Sequence, residues 1–582
     1  MALKFLFLAV MAVLSVGCTH VGVDHERGDK KSSLLKPAID VNKQAAIKAV
    51  PQTVETTPLD ESLLFSLLGG ELAGQRGEVE LAAAFYVDAA ERSRDPQVAL
   101  RAAQIALYTK DLPVASSMVD ILVEGDNPTL DMRRLALTVY LKAANIDKSI
   151  QQALLLVEKS EVPQRSALLA VGSLVSRHIN DEVAIAVMAA LVARYSNEAG
   201  VYLAQSQVYA ERGDFSAAED SVTQAIQLDP DWQTPYAQLA QVFEKQSKTE
   251  GSLGVLQVAS KRFGTVQLIT AYGQLLAKEG RYQEAKQQLL LALNKTPSHA
   301  EARFSLALVY LKLNKPAQAQ DALEVLYTAG AYKAKAAFYL GQISYQQAAY
   351  EEALAWFAKV GQAPGFIDAQ ANIAMIHAKM GELTMAQSVL QRLRNNAPKL
   401  AARFYLLEVE LLLEAGQNKQ AFGLMTQAIN EYPTDLALRY ARSIAATEIG
   451  ELEGAENDLL FILAQDPNNV NALNALGYTL ASKTFRFKEA RQYLTQALSL
   501  MPEDSAIIDS MGWLNYREGQ YEEALALLQK AYKKSPQGEI AAHLGETLWM
   551  LGRQEEAKRI WQDGLKNDPN DRYLNEVLKR LK

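Results

Sequence analysis

One cysteine, Cys18, stands among 582 residues, so no disulfide can join two parts of this chain. Histidine is scarce too. His20, His25, His178, His299, His377 and His543 are scattered, and none forms an HExxH or a metal-spaced Cys/His pair. That spacing gives no metal site and calls for no cofactor. Basic charge is in deficit, with 59 Lys and Arg against 67 Asp and Glu. Nucleic-acid recognition needs a basic stripe, so no nucleic-acid partner is expected. The glycines at Gly69, Gly70, Gly74 and Gly77 lack phosphate-loop spacing and follow no strand pattern. Acidic pairs such as Glu351-Glu352, Glu522-Glu523 and Glu555-Glu556 recur early in helices, where carboxylates suit the positive end of the helix. With no nucleophile and base at readable spacing, neither catalysis nor a small-molecule substrate is expected.

What is present begins at the N-terminus. Lys4 precedes an apolar run from Phe5 to Val16, twelve residues long, and then Gly17 and Cys18. This is signal-peptide length, short of the ~20 residues that span a bilayer. The stretch Leu14-Ser15-Val16-Gly17-Cys18 resembles a lipobox, with its leucine one place early. The resemblance implies cleavage between Gly17 and Cys18, lipidation of Cys18, and a membrane partner reached through the acyl anchor. Thr19 rather than Asp follows, which in Gram-negative lipoproteins implies the outer membrane, facing the periplasm. The expected layout is a signal peptide over 1–17 and a flexible tether over 18–58. The tether holds Pro37, Pro51 and Pro58, and its random-coil reach is roughly 35 Å.

Beyond the tether the chain repeats. Pro398, Pro433, Pro467, Pro502, Pro536 and Pro569 are 35, 34, 35, 34 and 33 residues apart. Gly213, Gly280, Gly381, Gly416, Gly450, Gly519 and Gly552 each stand 17 residues before a proline. In one unit, helix A carries Ile508, Met511, Gly512 and Tyr516, and Gly519 ends it. Helix B carries Tyr521, Ala524, Leu528 and Ala531, and Pro536 stops it. Small residues mark the contact between them: Ala490, Ala524 and Ala557 in helix B, and Gly477, Gly512 and Gly545 in helix A. A period near 34 with this punctuation is the tetratricopeptide signature. The sequence therefore predicts an all-α superhelical solenoid of about fifteen hairpins. Degenerate helical repeats would occupy 59–198, the regular array 199–570, and a capping helix 571–582, with one extra residue in the turn near Lys483 to Arg486.

Stacked hairpins form a concave groove lined by helix A, which suits protein ligands. The register places Phe338, Tyr345, Tyr440, Asn474, Tyr478, Asp509, Trp513 and Trp549 at groove-facing slots, where aromatic anchors bury much area with few rotors. Each of these side chains could instead pack against a neighbouring repeat. A clamp for acidic C-termini needs a basic set at such slots. Here they include Asn474 and Asp509, so that function is not carried over.

With its lipobox, tether, degenerate early repeats and regular C-terminal run, the layout resembles the large Gram-negative outer-membrane tetratricopeptide lipoproteins. It is most similar to the lipoprotein adaptors of the periplasmic carboxy-terminal processing protease, through Asn474-Ala475-Leu476-Gly477-Tyr478 and Asp509-Ser510-Met511-Gly512-Trp513. The resemblance implies an adaptor that holds the protease and presents peptidoglycan hydrolases to it. A scaffold for secretion, pilus or polysaccharide export, or a regulator of peptidoglycan synthases, is the alternative.

Overall fold

A computed structural model describes residues 60–580 apart from 126, 178–179 and 570. The signal-peptide, Cys18 and tether readings lie outside the described residues. Among those described, 31 α-helices alternate with short turns and there is no strand. No described helix is long and apolar enough to cross a membrane.

The chain forms two compact units, one ending at Lys315 and the other running from Pro316 to the C-terminus. In the second unit, helices A and B of each repeat pack antiparallel, and helix B packs on the next helix A. The reason is local. Asp504 accepts hydrogen bonds from the backbone N–H groups of Ala506 and Ile507 at 2.8 and 3.1 Å, capping Ser505–Arg517. Gly519 then turns the chain at φ 82°, a conformation that costs glycine little. The predicted irregular turn is present: helix Val470–Lys483 ends, Thr484 is extended, and the next helix starts at Phe487.

Side-chain size sets the spacing between helices. Ala490, Ala524 and Ala557 are fully buried. A Cβ added at Gly512 would lie 2.8 Å from Leu528 Cγ, and one added at Gly341 would lie 2.9 Å from the Phe357 ring. Each such glycine accepts a large helix-B side chain from its own hairpin. Gly512→Ala is therefore expected to destabilise the second unit by roughly 1–3 kcal/mol, read as a lower denaturant midpoint at unchanged slope.

The first unit departs from this regularity. Helix Gln164–Ser176 packs chiefly on Ala199–Glu211 instead of on its sequence neighbour Asp181–Arg194, which lies on Ile146–Glu158. Gly172 permits this, since a Cβ there would meet the Ala204 methyl at 2.6 Å. Arg165 secures the arrangement. It packs over the Trp232 ring at 4.4 Å and donates to the Asp229 carboxylate at 2.5 Å.

The last described helix, Arg572–Arg580, buries Leu574 and Val577 against the hairpin before it.

Candidate functional site

Four helices A of the second unit, Leu436–Ile449, Val470–Lys483, Ser505–Arg517 and Gly538–Met550, together with the terminal helix, contribute to a pocket of about 380 Å³. Its size suits a small ligand or a few side chains of a larger one, in the range of roughly 300–1,000 Å³ typical of binding pockets. Ile444, Val470, Ile507 and Met501 supply apolar wall, and Tyr440, Tyr478 and Tyr573 supply aromatic wall.

Four of the eight groove residues read from the sequence meet here: Tyr440, Asn474, Tyr478 and Asp509. Tyr440, Asn474, Asp509 and His543 follow one another at intervals of 34, 35 and 34 residues, so they hold one slot in four consecutive repeats. That repeat phase is the signal by which His543 could have been found. Its Nδ1 lies 3.1 and 3.0 Å from the two carboxylate oxygens of Asp509, and both residues are buried. Burial works against a charge on His543. The adjacent Asp509 carboxylate, with Glu539 and Glu546 behind it, outweighs burial and pushes the imidazole pKa above its ordinary value.

Trp513 does not line the pocket. It stacks on His543 at 4.0 Å and on Tyr516 at 4.6 Å, behind the Asp509 pair. The other three residues lie elsewhere in the unit. Phe338 packs edge-on against Phe357, Tyr345 lies beside Tyr350, and Trp549 stacks on the buried Trp561.

Sequence reasoning missed Glu539, Glu448, Arg572 and Tyr573. The Tyr478 hydroxyl donates to Glu539 Oε1 at 2.9 Å. Burial, and then the Glu539 charge, raise the Tyr478 pKa well above its ordinary value, so the phenol stays a donor. Arg572, on the terminal helix, donates two hydrogen bonds of 2.9 Å to the Glu448 carboxylate, 124 residues earlier in the chain. No repeat-phase argument reaches Arg572, because the terminal helix lies outside the repeat.

Asn474 Oδ1 is buried and accepts no hydrogen bond. Among the described residues, no group of three His, Cys, Asp or Glu side chains is placed to hold a metal ion. The arrangement offers carboxylates, phenols and a bare amide acceptor over an apolar wall, which is equipment for binding.

Family models of the tetratricopeptide repeat match residues 199–231, 270–334, 306–365, 470–504 and 516–581. The chain therefore carries tetratricopeptide repeats. It is 40% identical over 209 residues to TPR repeat-containing protein PA4667 of Pseudomonas aeruginosa, a stretch covering 36% of this chain and 35% of that protein. It is 27% identical over 162 residues to type IV pilus assembly protein PilF of the same organism, covering 27% of this chain and 64% of that one. The chain thus spans about a third of the first relative's length and just under two thirds of the second's. A solved structure of Pseudomonas aeruginosa PilF aligns with 35% of this chain and 94% of its own, at 22% identity and a TM-score of 0.31.

Proposed function

We propose that this chain is a non-catalytic adaptor, anchored in the outer membrane through lipidated Cys18, that holds a carboxy-terminal processing protease and its cell-wall hydrolase substrates together in the periplasm. The observation that supports it best is an exposed apolar stripe on the other unit. In the first described helix, Glu61–Arg76, the side chains of Leu64, Phe65, Leu68 and Leu72 are 43%, 67%, 55% and 53% exposed. At about 100° per residue these four fall within one arc of about 100° and form a stripe. Folded chains seldom leave such a patch in water unless a partner covers it. A chain with an apolar stripe in one unit and a walled pocket in the other has equipment for two ligands at once. Joining two ligands on one scaffold makes their encounter intramolecular, which raises apparent affinity by roughly 10²–10⁴.

The protease is assigned to the stripe and the hydrolase to the pocket. In pull-downs from crosslinked envelopes, Phe65→Asp with Leu68→Asp is expected to abolish protease capture and leave hydrolase capture intact, as is deletion of residues 59–96. Loss of both, or of neither, refutes the division.

The similarity to a pilus assembly protein favours a second reading, a scaffold in pilus assembly. Capture of a secretin with no protease would establish that reading instead.

A further inference from the structure

We infer that a row of glutamines in the first unit holds an extended segment of another polypeptide by its main chain, with little regard to that segment's side chains. The inference concerns a surface that the adaptor reading leaves unassigned, and it needs neither enzyme.

Gln207, Gln241 and Gln274 stand 34 and 33 residues apart, on the consecutive helices A Ala199–Glu211, Gln233–Lys245 and Val266–Lys278. Each directly follows the residue packed against its own helix B. Ser206 Oγ donates to the Ala218 carbonyl at 2.8 Å, and the Ala240 carbonyl accepts from Ser252 Oγ at 2.9 Å. A Cβ added at Gly273 would lie 2.9 Å from Leu289 Cγ. The glutamines are therefore turned about 100° away from helix B. Ile444 and Tyr478 hold the same slot in the second unit, and there they line the pocket.

None of the three glutamines is buried. Among the described residues, the side chains of Gln207 and Gln241 have no hydrogen-bond partner. Gln274 reaches along the wall of helices A, where its Nε2 donates to Glu301 Oε1 at 3.0 Å and to Ser305 Oγ at 2.9 Å. An amide oxygen turned toward that carboxylate would be repelled, so the nitrogen faces it and Oε1 is left to accept.

These groups suit a main chain. A side-chain amide carries donors and an acceptor but no charge, and each residue of a polypeptide brings one N–H and one C=O to meet them. One turn back on the same face stand Ala237 and Gln238, and then Thr270 and Ala271, which are uncharged. One turn on, Lys278 pairs with Glu244 at 2.9 Å, so those two charges cancel. Spacing sets the ligand's shape. Packed helices lie about 10 Å apart, and an extended chain advances about 3.3 Å per residue, so every third residue meets a glutamine. About seven residues then span the row. A helical ligand is excluded, because its amides are already paired with one another.

The test uses the full chain and a fluorescein-labelled peptide, Ser-Ala-Thr-Val-Ser-Ala-Thr-Val-Ser, followed by anisotropy. A second peptide permutes the same residues. A third is N-methylated at alternate residues, so that every three-residue register loses an N–H group. The permuted peptide is expected to bind within about twofold of the parent, and the N-methylated one at least about fivefold more weakly. Gln207→Leu and Gln241→Leu, which keep size and remove the amide, are each expected to weaken parent binding roughly two- to tenfold.

An N-methylated peptide that binds as tightly as the parent overturns the inference. So does full affinity in the double variant, and so does absence of binding at the highest soluble concentration. Binding abolished by permutation would show that side chains are read instead, which overturns it too. Should a variant fail to fold by circular dichroism, the three peptides on the unaltered chain decide alone. Capture of protease and hydrolase bears only on the adaptor, so each proposal can fail without the other.

Discussion

Glu410→Gln is expected to stabilise the second unit by ~3 kcal/mol at pH 9 and to change little at pH 4. Glu410 lies in the helix Ala401–Glu414 and is 4% exposed. Burial, and then the Glu414 charge, push its pKa from the ordinary 4.5 up to about 7, with Lys379 pulling weakly the other way. The folded chain therefore keeps a proton that the unfolded chain gives up above pH 4.5. Between 4.5 and about 7 the folded state binds more protons, so stability falls as pH rises through that window. The contribution is fully present below 4.5 and gone above about 7. The distance between those two values corresponds to ~3 kcal/mol. Glutamine mimics the protonated acid and does not titrate. Denaturant midpoints for both proteins across pH 4–9 should converge at the acid end and separate as pH rises. Parallel curves would show that Glu410 titrates like an exposed carboxylate.

The second large effect is expected at Asp458. This carboxylate is 1% exposed and lies on helix Leu452–Gln465. It accepts two hydrogen bonds from Arg442, at 2.6 and 2.8 Å, and one from Arg439 at 3.1 Å. Removing one side of a buried ion pair leaves the other charge without compensation, at a cost of roughly 3–5 kcal/mol. Asp458→Ala is placed near the lower end of that range, because both arginines keep some access to water. Arg439 also has alternatives, in the Pro433 carbonyl and the Phe461 ring. Arg442→Ala should thus cost less than Asp458→Ala, since Arg439 still neutralises the carboxylate. Asp458→Ala combined with Arg442→Leu should recover part of the loss. A double variant no better than Asp458→Ala alone would show that Arg442 is not the stranded charge.

The fold was legible because the turns are punctuated. At Gly213, Gly280, Gly381, Gly416, Gly450, Gly519 and Gly552 the chain takes a positive φ, and the glycine announces it. At Lys110, Ala144, Ser247 and Ala348 it takes the same conformation with a side chain present. There the surrounding packing imposes the turn, and local sequence carries no mark of it. The pairing of Gln164–Ser176 with Ala199–Glu211 was likewise hidden, because a helix's choice of partner depends on the fit of Gly172 to Ala204 and not on any periodicity.

At the pocket, Tyr440, Asn474, Tyr478 and Asp509 could be named because repeat phase fixes which way a helix-A slot points. The same rule also named Phe338, Tyr345 and Trp549, whose slots are filled by aromatic neighbours of their own. Phase states where a side chain begins, and neighbours decide whether it is left free. Glu539, Glu448 and Arg572 depend on elements far apart in the chain meeting at one place, which a reading confined to single repeats does not contain.

The Arg572–Glu448 link also bears on how the molecule comes apart. Most contacts in stacked hairpins join neighbours, so a free end ordinarily peels away one hairpin at a time. Here the last helix is tied to a residue more than three hairpins upstream, and peeling cannot start until that tie opens. Amide hydrogens from Leu436 onward should then exchange as one cooperative block, and Glu448→Ala should turn that block into a gradient that loosens from the C-terminus inward.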